Sequence, residues 1–413
     1  MKKLRFNYKP YIIENKNYST LQFNIIFCFK NNPKDSFNYD ILRQLLLNTN
    51  SKYISEIEYR KAYEENMIIS QTLNISKYND NTFFNFELIV PDYKKIKDYD
   101  LKKALQFFYD TIYSPNIKNN QFDNNLFLRE QIYLKNRYLN RMKNIYQKTY
   151  EDFLKIFDET NSIISNSYDI KLIEKANPKD LYRLYKKIIS SNKVMIMYGD
   201  IDLKTKNIFN SIFKSSDEKF VLDINYDKFL KPYKDIKDIT KTSDYHESIL
   251  YAGFKVQNMR AKDKLYLVTL KNILGNGNNL ILKKLRQDNN LVYSTYTSCD
   301  KFYGTLEIET YINSTSKDIT LDKINEVINE LKNESYLTEC MQKVIKDMEA
   351  DLIRAKDKRR KKLDDFIYEK AHIGFSLEKL IDLSKNINIL DFIKFIDRLK
   401  LDTIYFLKGE DNE

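Results

Sequence analysis

Apolar positions along this chain follow two rhythms, one of period two and one of period three to four, and the switch between them occurs in the same order twice. The first half opens on Leu21 to Phe29, where Gln22 and Asn24 are the only interruptions of an apolar run, which predicts a strand. Asn31-Asn32-Pro33 ends it, and Ile41, Leu42, Leu45 and Leu46 then fall on one face of a helix. A short helix around Ser55 to Glu65 follows. Met67 to Ser76 and Phe83 to Val90 read as a hairpin across Asn79-Asp80-Asn81. Leu101, Ala104, Leu105 and Phe108 mark a helix over 101–113, a long helix is expected from about Phe122 to Phe157, and Val194 to Asp200 reads as a buried strand ending in a turn.

The second half repeats that order. Leu250 to Val256 predicts a strand, Lys264 to Leu274 a helix, and Val292 to Cys299 with Thr305 to Ile312 a hairpin across Asp300 to Gly304. Leu321, Ile324, Ile328 and Leu331 keep a helical register, a long charged helix is expected from about Glu334 to Tyr368, and Thr403 to Leu407 closes the series as a strand. The expectation is an internally duplicated α+β protein of two homologous domains, each a mostly antiparallel or mixed sheet with helices packed on one face. Its domains are 1–220 and 244–413, with a connector at 221–243 where Ser, Asp and Lys accumulate and apolar periodicity fades.

Composition narrows the function classes. The chain has 413 residues, 42% of them hydrophobic, enough for two domains that each bury a core. Its net charge of +11 leaves room for an acidic partner, but both signs are spread along the whole length with no basic arm, which disfavours nucleic acid. The densest basic run, Arg354 to Lys362, reads as a solvated helix face. Three distant cysteines, Cys28, Cys299 and Cys340, offer neither a disulfide framework nor a paired-cysteine zinc site. With no apolar leader in MKKLRFNYKPYIIENKNY and no run long enough to span a bilayer, the expectation is a bacterial cytoplasmic protein without membrane contact.

Candidate chemistry concentrates between Ile281 and Ile312. Arg286 closes a helix-like segment, Asp288-Asn289-Asn290 supplies a polar break, and Tyr293 opens the following strand. A guanidinium fork and a phenol at one corner can both donate hydrogen bonds to a carbonyl or carboxylate. That makes a binding corner rather than a catalyst.

The segment Leu285-Arg286-Gln287-Asp288-Asn289-Asn290-Leu291-Val292-Tyr293 resembles the arginine/tyrosine element in the second domain of the insulinase/pitrilysin-like metallopeptidases. The upstream strand at Leu250 to Val256 and the helix ending in Gly275-Asn276-Gly277 fit the same pattern. A working member needs His-x-x-Glu-His, with two imidazoles and a general base on one helix face. This chain has two histidines in all, His246 and His372, far apart and outside any such motif. In the helix that resembles the zinc helix, Asp40 and Gln44 stand at the histidine positions and Arg43 at the glutamate position. Glu130 is nearest to the distal carboxylate ligand and reads as a helix-face charge open to pairing with Arg43; His246 is expected to be exposed and His372 partly buried. No phosphate-binding loop, dinucleotide fingerprint or serine-nucleophile elbow is present.

The resemblance implies a subunit with no catalytic residues, metal or cofactor of its own. Zinc is expected in an insulinase-like partner, with which this chain forms a heterodimer that processes peptides such as ribosomal products, pheromones or leaders. Arg286 and Tyr293 would reach the substrate peptide near its scissile bond, the peptide adding as a strand to the partner's sheet edge. Two alternatives remain: a peptide-binding or assembly subunit with no part in cleavage, and a basic nucleic-acid-binding protein.

Overall fold

The computed structural model describes every residue except 1, 31, 79–80, 159–169, 225–226, 276–278, 356–358, 372–373 and 411–413. The chain divides into two compact units, Met1–Arg141 with Asn166–Tyr226, and Met142–Ser165 with Asp227–Glu413.

Numbered along the whole chain, the first unit contains β1 (Lys2–Asn7), β2 (Tyr11–Glu14), β3 (Thr20–Lys30), α1 (Ser36–Asn48), α2 (Glu56–Glu65), β4 (Ser70–Tyr78) and β5 (Asn81–Pro91). It continues with α3 (Leu101–Tyr113), the minimal pair β6 (Ile117–Lys118) and β7 (Gln121–Phe122), and α4 (Asn124–Lys143). Beyond the segment that joins the other unit come α6 (Ile170–Lys175), α7 (Pro178–Ile189), β8 (Asn192–Gly199), α8 (Leu203–Phe213) and β9 (Lys219–Ile224), which pairs with β1. The main sheet runs β2-β8-β3-β5-β4, with only β2 and β8 parallel. Alternate residues of β3, Leu21, Phe23, Ile25 and Phe27, are fully buried in one core with Ile41 and Leu42 of α1 and Leu105 and Phe108 of α3. Each such side chain contributes roughly 1.5–3 kcal/mol by leaving water. Local signals fix the helix starts: Ser55 and Glu58 form a capping box at α2, and Asn177 caps α7 with Pro178 at its first turn.

The second unit opens with α5 (Ile145–Phe157) and resumes with β10 (Lys237–Thr242), β11 (Ser248–Val256), α9 (Lys264–Gly275), α10 (Leu280–Leu282), β12 (Val292–Asp300) and β13 (Thr305–Ile312). It ends with α11 (Lys317–Glu330), α12 (Glu334–Ala355), α13 (Arg359–Ala371), α14 (Leu377–Lys385), α15 (Ile389–Ile396) and β14 (Leu399–Lys408). Its sheet runs β10-β14-β11-β13-β12, again with only the first pair parallel. Each unit thus arranges its sheet strands in the order first, fifth, second, fourth, third. The duplication expected from element order is a duplication of topology, and the α+β reading holds.

Three details differ from the sequence reading. The single helix expected over 122–157 is two, because Asn144 leaves helical geometry (ψ 115°) and its side chain accepts the Gln147 N–H to start α5. The break also divides the units, since α4 stays with the first and α5 joins the second, which is therefore discontinuous in sequence rather than confined to 244–413. Finally, the stretch expected as a connector at 221–243 carries part of β9 and all of β10; Lys-Asp-Ile-Thr-Lys-Thr is an exposed edge strand, whose polar side chains hide it from an apolar-periodicity reading. The charged segment over 334–368 falls in α12 and α13, with 356–358 outside the described residues.

In the second unit α5 covers the sheet face opposite α9 and α12. Phe153 and Phe157 lie with Ile249, Tyr251, Tyr405 and Leu407 in a separate apolar layer. Gly253 permits this approach, since a Cβ there would meet the Phe157 and Phe153 rings at 2.7 and 2.9 Å. Beside it, Lys255 of β11 and Asp402 of β14 form an ion pair at 2.9 Å with side chains only 2% and 0% exposed. No helix among the described residues is long and apolar enough to cross a membrane.

Candidate functional site

The corner carrying Arg286 and Tyr293 is built by a chain of local constraints. Asn279 adopts a left-handed conformation (φ 33°) and its side chain accepts the Leu282 N–H, starting α10. The helix then widens into a π-helical turn over Lys283–Gln287, a geometry that recurs at functional sites because it re-aims one side chain out of helical register. Leu285 is fully buried and Lys284 holds Glu326 at 2.9 Å and Glu330 at 2.8 Å, so the first anchors the turn to the second unit's core and the second to α11. These carboxylates raise the Lys284 ammonium above its usual range. Between the anchors and the strand, Asn290 takes φ 53° and the Leu291 N–H closes on the Leu285 carbonyl at 2.7 Å.

Arg286 leaves this turn exposed, and its Nη1 donates to the backbone carbonyl of Tyr293 at 3.1 Å. Tyr293, at the start of edge strand β12, is 64% exposed. The two residues singled out in the sequence are therefore brought together through a side-chain-to-backbone bond, and neither is sealed in a core. Gly275 sets the distance between α9 and this strand, since a Cβ there would meet the Thr297 Cβ at 2.6 Å.

In the first unit, Asp40, Arg43 and Gln44 share one half-buried face of α1. Arg43 Nη2 holds Asp40 Oδ1 at 2.9 Å. Lys77 of β4 donates to Ser36 at 2.7 Å; burial lowers its ammonium, and Asp40 opposes that shift. This face of α1 sets one carboxylate against Arg43, with Lys77 of β4 close enough to feel it, and that balance opposes a divalent ion by charge. These residues do not fit zinc. Glu130 is buried rather than displayed on a helix face, and it accepts from Arg129 (Nη2 at 2.7 Å), not from Arg43 as the sequence reading left open. His246 is exposed, and His372 lies outside the described residues. Among the described residues no cluster of three or more His, Cys, Asp or Glu is placed to hold a metal.

A second feature escapes the sequence reading. On the sheet face under α5, a cavity of about 430 Å³ is lined by five tyrosines with Glu307 and Glu309. The signal lay in Thr305–Ile312, where Leu306, Ile308 and Ile312 alternate with Glu307, Glu309 and Tyr311, and in the Tyr146/Tyr150 pair one turn apart on α5.

Residues 175–343 match the family described as Peptidase M16 inactive domain. The chain is 20% identical over 383 residues to a Bacillus subtilis protein described as "Probable inactive metalloprotease YmfF", covering 89% of this chain and 88% of that one. A conserved protein from Enterococcus faecalis V583 shares the fold with a TM-score of 0.83 at 17% identity, over 100% of this chain and 99% of that one. The peptidase M16 inactive domain from Pseudomonas fluorescens does so with a TM-score of 0.69 at 13% identity, over 100% of both. The duplicated sheet topology and the matched segment converge on one resemblance: residues 175–343 match the Peptidase M16 inactive domain, and the chain as a whole is similar in sequence to a probable inactive metalloprotease and in fold to M16-like proteins.

Proposed function

We propose that this chain is the non-catalytic subunit of a heterodimeric zinc metallopeptidase that processes peptides, supplying Arg286 and Tyr293 to a zinc-bearing insulinase-like partner. The observation that carries the reading is the corner itself: an exposed guanidinium and an exposed phenol held on rigid elements, one steadied by the other's backbone carbonyl. A guanidinium and a phenol so placed can donate hydrogen bonds to negative charge developing on a substrate carbonyl without transferring a proton themselves. Arg286 commits one N–H to Tyr293, and the rest of its fork can meet a peptide carbonyl. The Asp40–Arg43 pair supports the other half of the proposal, that any metal comes from the partner.

The test is reconstitution. Co-expressed with a His-x-x-Glu-His chain from the same genome, the wild-type protein should form a stable complex that cleaves a peptide, while neither chain does so alone. A partner that cleaves equally well without this chain would reassign it to assembly or peptide binding.

A further inference from the structure

We propose that the tyrosine-walled cavity of the second unit binds an organic cation, an alkylammonium or guanidinium group on a slender stem such as a lysine or arginine side chain. The proposal does not rest on the roles assigned to Arg286 and Tyr293.

The cavity is built to hold positive charge. Tyr251 of β11, 2% exposed, forms its floor, its ring stacked on Phe153 at 5.0 Å. Tyr150 of α5 and Tyr296 of β12, 37% and 66% exposed, stand at its rim. Glu307 is 6% exposed, yet among the described residues its carboxylate is hydrogen-bonded only by neutral hydroxyls: Oε2 accepts from Tyr150 at 3.0 Å and from Ser298 at 3.3 Å. Glu309, two residues along the same strand face, accepts the Tyr311 hydroxyl. Among the described residues no lysine, arginine or histidine is ion-paired with either carboxylate.

A buried carboxylate without a counter-charge is held at a desolvation cost that an incoming cation removes. Burial pushes the Glu307 carboxyl up to about 7, with Asp300 and Glu309 adding to the rise and the Tyr150 and Ser298 hydroxyls opposing it. Phenol faces attract a cation and tolerate its alkyl stem. They suit a hard divalent metal poorly, since such an ion wants six or more oxygen ligands. At about 430 Å³ the space accepts a side chain rather than a folded surface.

The experiment is calorimetric titration of the full chain at pH 8 with Nα-acetyl-lysine methylamide, its arginine counterpart, the uncharged norleucine counterpart and n-butylammonium. The cationic amides should bind at least tenfold tighter than the norleucine amide. Glu307→Gln should weaken cation binding tenfold or more, and Tyr296→Ala, at the exposed rim where folding is not at stake, severalfold. Binding of n-butylammonium as tight as that of the lysine amide identifies a free amine as sufficient; tighter binding of the amide identifies a peptide side chain. Equal binding of the norleucine amide, no cation binding in the millimolar range, or binding unchanged by both substitutions would overturn the proposal.

Discussion

Replacing Lys255 by Met removes the positive half of the buried pair that joins β11 to β14. Asp402 is 0% exposed and accepts from Lys255 at 2.9 Å, from the Tyr233 N–H at 2.6 Å and from the Thr403 hydroxyl at 2.8 Å. Breaking a buried ion pair by removing one member costs about 3–5 kcal/mol, because the surviving charge stays desolvated. The two neutral donors that remain place this case near the lower end. Lys255 Nζ also lies 3.8 Å from the Tyr233 ring centroid and 5.0 Å from that of Phe157, contacts worth roughly another 1 kcal/mol that Met replaces only in part. The expected loss is about 4 kcal/mol, a large share of the 5–15 kcal/mol that typically holds a domain together. Adding Asp402→Asn removes the stranded charge and keeps an acceptor for Tyr233, so the double variant should recover about half of that loss. The assay is urea unfolding of both single variants and the double one, followed by far-UV circular dichroism, since the chain has 32 tyrosines and no tryptophan. A Lys255→Met cost under about 1 kcal/mol, or single-variant costs that simply add in the double variant, would refute the reasoning.

Further outcomes follow from other contacts. Gly253→Ala should destabilise the second unit by about 1–3 kcal/mol, because the new methyl meets two phenyl rings inside 3 Å; urea unfolding measures it, and an unchanged midpoint would mean α5 is not seated on that strand. Burial holds the Glu307 carboxyl at about 7 in the folded state against 4.5 for a free glutamate, so the native state binds the extra proton between those values. Stability attributable to this group is therefore fully present below about pH 4.5 and falls as pH rises toward 7, by about 3 kcal/mol. Glu307→Gln should abolish that component in unfolding curves at pH 5 and pH 8, and a wild type more stable at pH 8 relative to the variant would reverse the sign. Purified alone, the chain should hold less than about a tenth of an equivalent of zinc by metal analysis, and Arg43→Ala alone should not raise that figure, since no histidine stands on α1.

Most of the architecture was legible because apolar spacing is a direct record of which face meets a core. Leu21 to Phe29, Leu101 to Tyr113 and the hairpin after Asn290 stand in the structure where periodicity put them. Elements without an apolar face were not legible: β10 sits at a sheet edge, and the break at Asn144 is one capping residue inside an otherwise helical pattern. For the corner, sequence spacing gave the pair Arg286 and Tyr293 but not their bond, which depends on a π-helical turn and two left-handed asparagines. The tyrosine cavity was the least visible feature, since its walls come from α5 and from three strands distant in sequence, and only folding brings Tyr150 within 3.0 Å of Glu307.

The most direct test of the account is steady-state cleavage of a peptide by the reconstituted complex carrying Tyr293→Phe. Losing one preorganised donor to developing charge costs about 10²–10³ in kcat, so the account predicts a drop of that order with KM and complex stability nearly unchanged, and a comparable loss for Arg286→Ala. A kcat within twofold of wild type for both variants, in a complex shown to be assembled, would contradict it.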